Sequence, residues 1–154
     1  MNRREFNGLL PALAAAAALP TPASAQQTAP DQPSGAGTPV ASGVFDAFNP
    51  PEHFTGRSAH SFVRGMLPTG IGFEMHVSYL APHAEHEPEE KHPHSEIWLM
   101  RQGTVEIHLN GQTHVLNVGD TAIAVAGTLH YVKNIGEGVA SYFVVKAGNG
   151  PLGR

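Results

Sequence analysis

The feature that most limits the fold of this chain is a succession of short apolar–polar alternations separated by turn residues. The segment GFEMHVSYL, residues 72–80, alternates large apolar side chains with polar ones, which is the period of a β-strand. Short strand patterns follow one another across residues 96–127, and Asn110-Gly111 has the residues of a type I′ hairpin turn. No segment after residue 42 sustains a helical period. Six to nine short strands at this spacing predict an all-β antiparallel sandwich or barrel.

Two further turns are predicted toward the end of the chain. Gly119-Asp120 separates two strand patterns, and IGEG, residues 135–138, precedes a last strand at residues 142–146. Glycine is the residue that turns most often require. We expect the IGEG segment to close another hairpin.

The first residues predict an export signal rather than a part of the fold. A charged start with Arg3 and Arg4 is followed by an apolar stretch at residues 8–20 and by Ala-Ser-Ala at residues 23–25. This order is typical of a secretory signal peptide, and the apolar stretch is too short to span a membrane. The arginine pair followed by Phe6 resembles a twin-arginine signal, with an ordinary general-secretion signal as the alternative. We therefore expect residues 1–25 to be removed and the protein to be periplasmic or secreted.

The rest of the chain divides into a linker and one domain. Residues 26–42 are rich in Pro, Gly, Ser, Thr and Gln, which is typical of a flexible linker. Residues 43–154 have the length of a single domain with one core. The formal net charge of −4 argues against a nucleic-acid-binding surface. The absence of cysteine excludes disulfides, thiolate metal ligands and cysteine nucleophiles.

Two groups of residues in the second half of the chain have distinctive internal spacings. The first group is His92, three residues, Glu96, six residues, Gly103. The second is Gly119, five residues, Val125-Ala126-Gly127, two residues, His130, three residues, Asn134. The intervening residues 104–118 have the length of one hairpin.

These spacings resemble the two motifs of the cupin superfamily, and the resemblance covers about residues 70–146. It implies an antiparallel double-sheet jelly-roll barrel that often holds a metal ion. The first family motif begins with a histidine two residues before His92, where this chain has Glu90, and the second has a proline where this chain has Val125. Carried over to this sequence, the resemblance implies the metal ligands Glu90, His92, Glu96 and His130.

Strand geometry is compatible with this ligand set. Glu90 and His92 are two residues apart, so that in a strand they project to one face. Pro93 favours a bend before Glu96, and His130 follows a glycine-containing turn. Two carboxylates with two imidazoles favour manganese, iron or zinc over copper or nickel. The alternative is a fold without metal, in which buried histidines bond only to each other.

Several other side chains are candidates for the site or for the core. His94 lies two residues from both His92 and Glu96 and is a rival ligand, although a supporting or rim position is favoured. Tyr131 is a candidate pocket hydroxyl. Lys133 and Arg101 are candidates for contact with an acidic substrate, with solvated surfaces as the alternative. The predicted core residues are Met75, Val77, Tyr79, Trp98, Leu99, Phe143 and Val145.

Two classes of function stay open at the level of sequence. The first is an enzyme that uses a mononuclear divalent metal in dioxygenase-type or isomerase-type chemistry. The second is a non-catalytic module that binds a small molecule, with or without metal. No sequence feature assigns catalytic residues or names the substrate, because one fold carries many functions. A small-molecule ligand is expected in both cases, and we allow for a homodimer.

Overall fold

The computed structural model describes residues 37–150 and residue 152, and within them the regular structure is entirely strand. The eight strands are β1 Arg57–Met66, β2 Ile71–Leu80, β3 Ser95–Gln102, β4 Val105–Leu109, β5 Gln112–Leu116, β6 Thr121–Ala124, β7 His130–Asn134 and β8 Ala140–Asn149. Over the same residues, no helix has the length and apolar character needed to cross a membrane. The predicted signal peptide, and the predicted linker as far as residue 36, lie outside the described residues.

The strands form two antiparallel sheets. The larger sheet has the order β1-β2-β8-β3-β6, and the smaller has the order β5-β4-β7. The two sheets are not hydrogen-bonded into a closed barrel. The all-β, antiparallel double-sheet architecture predicted from the sequence is therefore confirmed, with open seams between the sheets.

The turn at residues 110–111 forms as predicted, whereas the IGEG segment does not close a hairpin. Asn110 and Gly111 have φ angles of 48° and 81°, as a type I′ turn between β4 and β5 requires. β7 pairs with β4, but β8 pairs with β2 and β3 in the other sheet. The prediction failed because distant partners decide the strand pairing. Asn134 anchors the crossing, since its side chain donates to the Leu80, Ala81 and Gly138 carbonyl oxygens.

The core lies between the sheets, on what we call the inner face of each strand. Its apolar part contains Trp98, Met100, Val105, Ile107, Val132 and Tyr142, together with smaller residues. Ile107 and Val132 are fully buried and are paired across β4 and β7. Burial of such side chains stabilises the fold by roughly 1.5–3 kcal/mol each.

From Phe73 to Tyr79, strand β2 places its large apolar side chains on the outer face and its polar ones inside, and Leu80 then returns to the apolar core. Glu74, His76 and Ser78 are buried, whereas Met75 is half-buried on the opposite face. Among the predicted core residues, Trp98, Val77 and Tyr79 are buried. Phe143 and Val145 are half-buried with Met75. The prediction for Leu99 was wrong, because it lies on the outer face with 39% of its surface exposed.

Candidate metal centre

A row of charges of alternating sign crosses four adjacent strands of the larger sheet. The pairing register places Arg64 of β1 opposite Glu74 of β2, Glu74 opposite Lys146 of β8, and Lys146 opposite Glu96 of β3. The next residue in the row is Ala124 of β6. We call Arg64, Glu74, Lys146 and Glu96 the charge row. It ends in a carboxylate whose other side faces three histidines.

The Glu96 carboxylate is the point on which these histidines converge. It is 5% exposed. Its Oε1 lies 3.0 Å from His94 Nε2, 3.3 Å from Lys146 Nζ and 3.5 Å from His92 Nε2, and its Oε2 lies 3.6 Å from His130 Nε2. Burial raises the pKa of Glu96, but His130, Lys146 and His94 outweigh it and bring that pKa to about 2. The group is therefore a carboxylate at every physiological pH.

His92, His94 and Glu96 together offer a compact set of ligand atoms. One donor atom from each lies within 4.8 Å of the others. They are every second residue along the chain, and a bend at residues 93–94 followed by β3 turns their side chains toward one point. The His92 carbonyl oxygen accepts a 2.8 Å hydrogen bond from the Gly127 amide, which fixes this bend against the turn before β7.

The His92 ring shows that this set suits a cation. Its Nε2 is buried and has no hydrogen-bond partner, and the same holds for Nδ1 of His94. Glu90 Oε2 lies 2.9 Å from His92 Nε2, a close contact that does not meet the angles of a hydrogen bond. A buried polar atom without a partner is costly. Imidazole nitrogen with carboxylate oxygen is a donor set that accepts zinc, iron or manganese.

Glu90 and His130 are held next to this set by the backbone. Their amides and carbonyls exchange two hydrogen bonds of 2.9 Å in an isolated antiparallel bridge. His130 Nδ1 donates to the Thr128 carbonyl oxygen at 2.9 Å, which leaves Nε2 as the free nitrogen facing Glu96. Burial lowers the pKa of His130, but Glu96 and the Thr128 carbonyl oxygen outweigh it and hold that pKa above the usual value.

All four ligands predicted from the sequence therefore lie around one point. Glu90 contacts His92, and both His92 and His130 contact Glu96. The three residues whose donor atoms lie within 4.8 Å of one another are nevertheless His92, His94 and Glu96. We call them the three-residue set, and it contains neither Glu90 nor His130. His94, for which a rim position was favoured, is only 7% exposed. The four-residue ligand set stays a prediction.

A small polar cavity adjoins the charge row. Its water-accessible volume is about 20 Å³, and its lining includes Arg57, Glu87, Glu96, His130 and Lys146. That volume holds about one water molecule. Glu87 accepts a 2.8 Å hydrogen bond from the Tyr142 hydroxyl and pairs with Arg57 at 3.1 Å. Burial raises the pKa of Glu87.

Sequence reasoning missed Lys146, Glu74 and His76 as residues of the interior. His76 Nδ1 lies 3.1 Å from Glu74 Oε1, and both residues are buried. The polar alternation of β2 was visible, but the sequence does not say which face of a strand points inward. Lys146 was read only as the end of the last strand, because its alignment with Glu96 depends on a long-range register.

Three other candidates point away from the site. Tyr131 stacks on His108 on the outer side of β7, with ring centroids 4.0 Å apart, and makes a tilted ring contact with His86 at 4.5 Å. Lys133 is exposed on the same side. Arg101 donates to the Tyr79 hydroxyl at 2.7 Å, on the outer face of the larger sheet. The pocket role suggested for Tyr131 was therefore wrong, because alternation along β7 turns it outward when His130 turns inward.

Comparison with known proteins identifies the domain that holds the site. Residues 76–146 match the family model described as Cupin domain. A comparison with curated protein sequences found no match.

Solved structures share the fold at low sequence identity. A cupin family protein with a double-stranded β-helix fold from Methanocaldococcus jannaschii has a TM-score of 0.56 and 16% identity, over 71% of this chain and 94% of that one. The cupin domain of Schizosaccharomyces pombe Cnp3 has a TM-score of 0.54 and 18% identity, over 60% of this chain. The match spans 65% of the Cnp3 chain, which is less than two thirds of its length. At these identities the likeness shows the fold alone.

Proposed function

We propose, because residues 76–146 form a cupin domain, that this protein holds one divalent metal ion at His92, His94 and Glu96 and binds or converts a small molecule there. The observation that carries the proposal is the state of the buried His92 Nε2. This atom has no hydrogen-bond partner, although donor atoms of His94 and Glu96 lie close to the His92 ring. Manganese, iron and zinc fit the two imidazoles and the carboxylate.

The surrounding residues support this set in distinct ways. His130 holds the second oxygen of Glu96, with its ring fixed by the Thr128 carbonyl oxygen. Glu90 lies against the His92 ring from the more open side, with 49% of its own side chain exposed. Such supporting contacts orient ligands and raise their basicity. A bound metal would supply Lewis-acid or oxygen-binding chemistry at this point.

A non-catalytic binding role is the second candidate function. In either role the cavity of about 20 Å³ encloses only one water-sized group of a bound molecule. Oxygen uptake by iron-loaded protein, measured with small organic acids and sugars, separates the candidates. Turnover supports an enzyme, and saturable binding without turnover supports the binding module.

We also propose that the protein is exported, by the twin-arginine route. The support is the sequence of residues 1–25, with its arginine pair, apolar stretch and small-residue cleavage site. Changing Arg3 and Arg4 together to lysine should leave an uncleaved precursor inside the cell. Unchanged processing of this variant would indicate the general-secretion route.

The metal assignment is tested by metal affinity in a matched pair of histidine variants. Wild-type protein should bind about one equivalent of Zn²⁺, and His94→Ala should weaken binding at least about a hundredfold because a ligand is lost. The control is His114→Ala, which removes an exposed histidine from β5 and should leave the affinity unchanged. If His94→Ala binds zinc like His114→Ala, the three-residue assignment is wrong.

A further inference from the structure

Lys146 contacts the same carboxylate oxygen that a metal ion at this site would use. Its Nζ lies 3.3 Å from Glu96 Oε1, the oxygen that also faces His92 and His94. Its side chain is 22% exposed and lines the cavity. In the metal-free protein the ammonium group therefore neutralises the carboxylate that ends the charge row.

A metal ion at Glu96 would leave this ammonium group without its close partner. The other carboxylate beside Lys146 in the pairing register is Glu74. Glu74 is already contacted by His76 at 3.1 Å and by Arg64 at 3.6 Å. A mostly buried ammonium next to a metal-neutralised carboxylate favours a new anionic partner, because an uncompensated buried charge is costly.

The charges of the cavity lining also favour an anionic ligand once a metal is bound. Three acidic residues, Glu87, Glu90 and Glu96, and two basic ones, Arg57 and Lys146, line the cavity. Counting only these five side chains in their usual charge states, the lining has one excess negative charge, which attracts a cation first. A divalent ion bound to Glu96, the one proposed ligand in the lining, would reverse the sign, so the cavity beside the metal would attract an anion carrying one negative charge.

We propose that Lys146 is the anion-binding group of this site and holds a small monoanion, of the carboxylate class, beside the metal. The inference rests on the proposed metal centre. In the metal-free protein Lys146 pairs with Glu96, so an incoming metal must displace it. Once the metal is bound, Lys146 binds the carboxylate of the ligand. The cavity volume of about 20 Å³ limits the enclosed part of the ligand to little more than the carboxylate itself.

This arrangement couples the two ligands thermodynamically. If the metal frees Lys146 for the anion, the anion must in turn raise the affinity for the metal by the same factor. Formate is a suitable probe because it is the smallest carboxylate. Calorimetric titration of formate into zinc-loaded and zinc-free protein should give an affinity at least about tenfold higher for the loaded form. Saturating formate should raise the zinc affinity by that same factor.

Variants of Lys146 distinguish this role from a structural one. Lys146→Gln should bind zinc about tenfold more tightly, because the competing cation is gone, and should bind formate at least about tenfold more weakly. Lys146→Arg keeps the charge and should keep formate binding. Lys133→Gln makes the same charge change at an exposed position on β7 and should alter neither affinity. Circular dichroism of each variant checks that the fold is retained.

Each outcome bears on the proposal separately from the metal centre. Tighter zinc binding with weaker formate binding in Lys146→Gln supports it. Zinc affinity that is unchanged or lower in Lys146→Gln overturns it while leaving the metal centre in place, and so does equal formate affinity with and without zinc. If wild-type protein binds no zinc, the metal centre fails and this inference fails with it.

Discussion

The inner faces of the strands change character from one end of the protein interior to the other. On β3 the inner residues run from Glu96 through Trp98 to Met100, and on β8 they run from Lys146 through Val144 to Tyr142. We call the part around Glu96 and Lys146 the polar end. The part around Met100 and Tyr142, which continues into the smaller sheet at Ile107 and Val132, is the apolar end.

The comparison shows that burial serves two different purposes in one interior. At the apolar end, side chains of matching shape stabilise the fold by leaving water. At the polar end, equally buried groups stabilise it only if each is paired, since an unpaired buried charge costs several kcal/mol. Glu74 with His76 and Glu96 with Lys146 meet this condition. The buried Nε2 of His92 makes no hydrogen bond, although Glu90 lies 2.9 Å away, and we take this as an indication of where a ligand belongs.

The largest expected effect is a loss of stability at the apolar end. Ile107→Ala removes a fully buried side chain and should lower the free energy of unfolding by about 3 kcal/mol, through lost burial and a residual cavity. Urea denaturation measures this loss. Zinc affinity measured below the unfolding transition should stay at the wild-type value. A large fall in zinc affinity would mean that the two ends are not separable.

Acid should act at the polar end through Glu96. Its pKa in the folded protein is about 2, below the usual value of 4.5, so the carboxylate adds about 3 kcal/mol of stability above pH 4.5. That contribution is lost as the pH falls from 4.5 toward 2. Metal-free wild type should therefore exceed Glu96→Gln in stability at pH 7, and the difference should narrow at pH 3. A difference that does not change with pH would contradict the pairing of Glu96.

An intermediate effect is expected from His130, which supports Glu96 without belonging to the three-residue set. His130→Ala should weaken zinc binding about tenfold, in the range typical of residues that orient a ligand, and less than His94→Ala does. Competition with a chromophoric chelator gives both affinities. The reverse order, with His130→Ala the more damaging, would favour the four-residue set of Glu90, His92, Glu96 and His130.

The smallest effect is expected on the outer face of the larger sheet. Leu99→Ala removes a side chain that is 39% exposed, so the free energy of unfolding should fall by less than about 1 kcal/mol. Zinc affinity should not change. A loss as large as that of Ile107→Ala would show that this face is covered in solution, and sedimentation velocity would then test for a homodimer.

Much of the fold could be predicted from neighbouring residues in the sequence. The rest depends on long-range strand pairing, which local patterns do not determine. The alternation of residues 72–80 and the Asn110-Gly111 turn predicted β2 and the β4–β5 hairpin, because both depend on neighbouring residues. The IGEG segment was misjudged because no local feature says that β7 and β8 belong to different sheets. Similarly, two-residue spacing brought His94 close to His92 and Glu96, but Lys146 reaches Glu96 only through the register of β3 with β8.

The most direct test of the central claim is to locate the ion by anomalous X-ray scattering at the zinc edge, in crystals grown with Zn²⁺. We expect one peak about 2.0–2.2 Å from a nitrogen of His92, a nitrogen of His94 and an oxygen of Glu96. A peak bound by Glu90 and His130 without His94 would contradict the three-residue assignment. The absence of any peak at the polar end would contradict the metal centre itself.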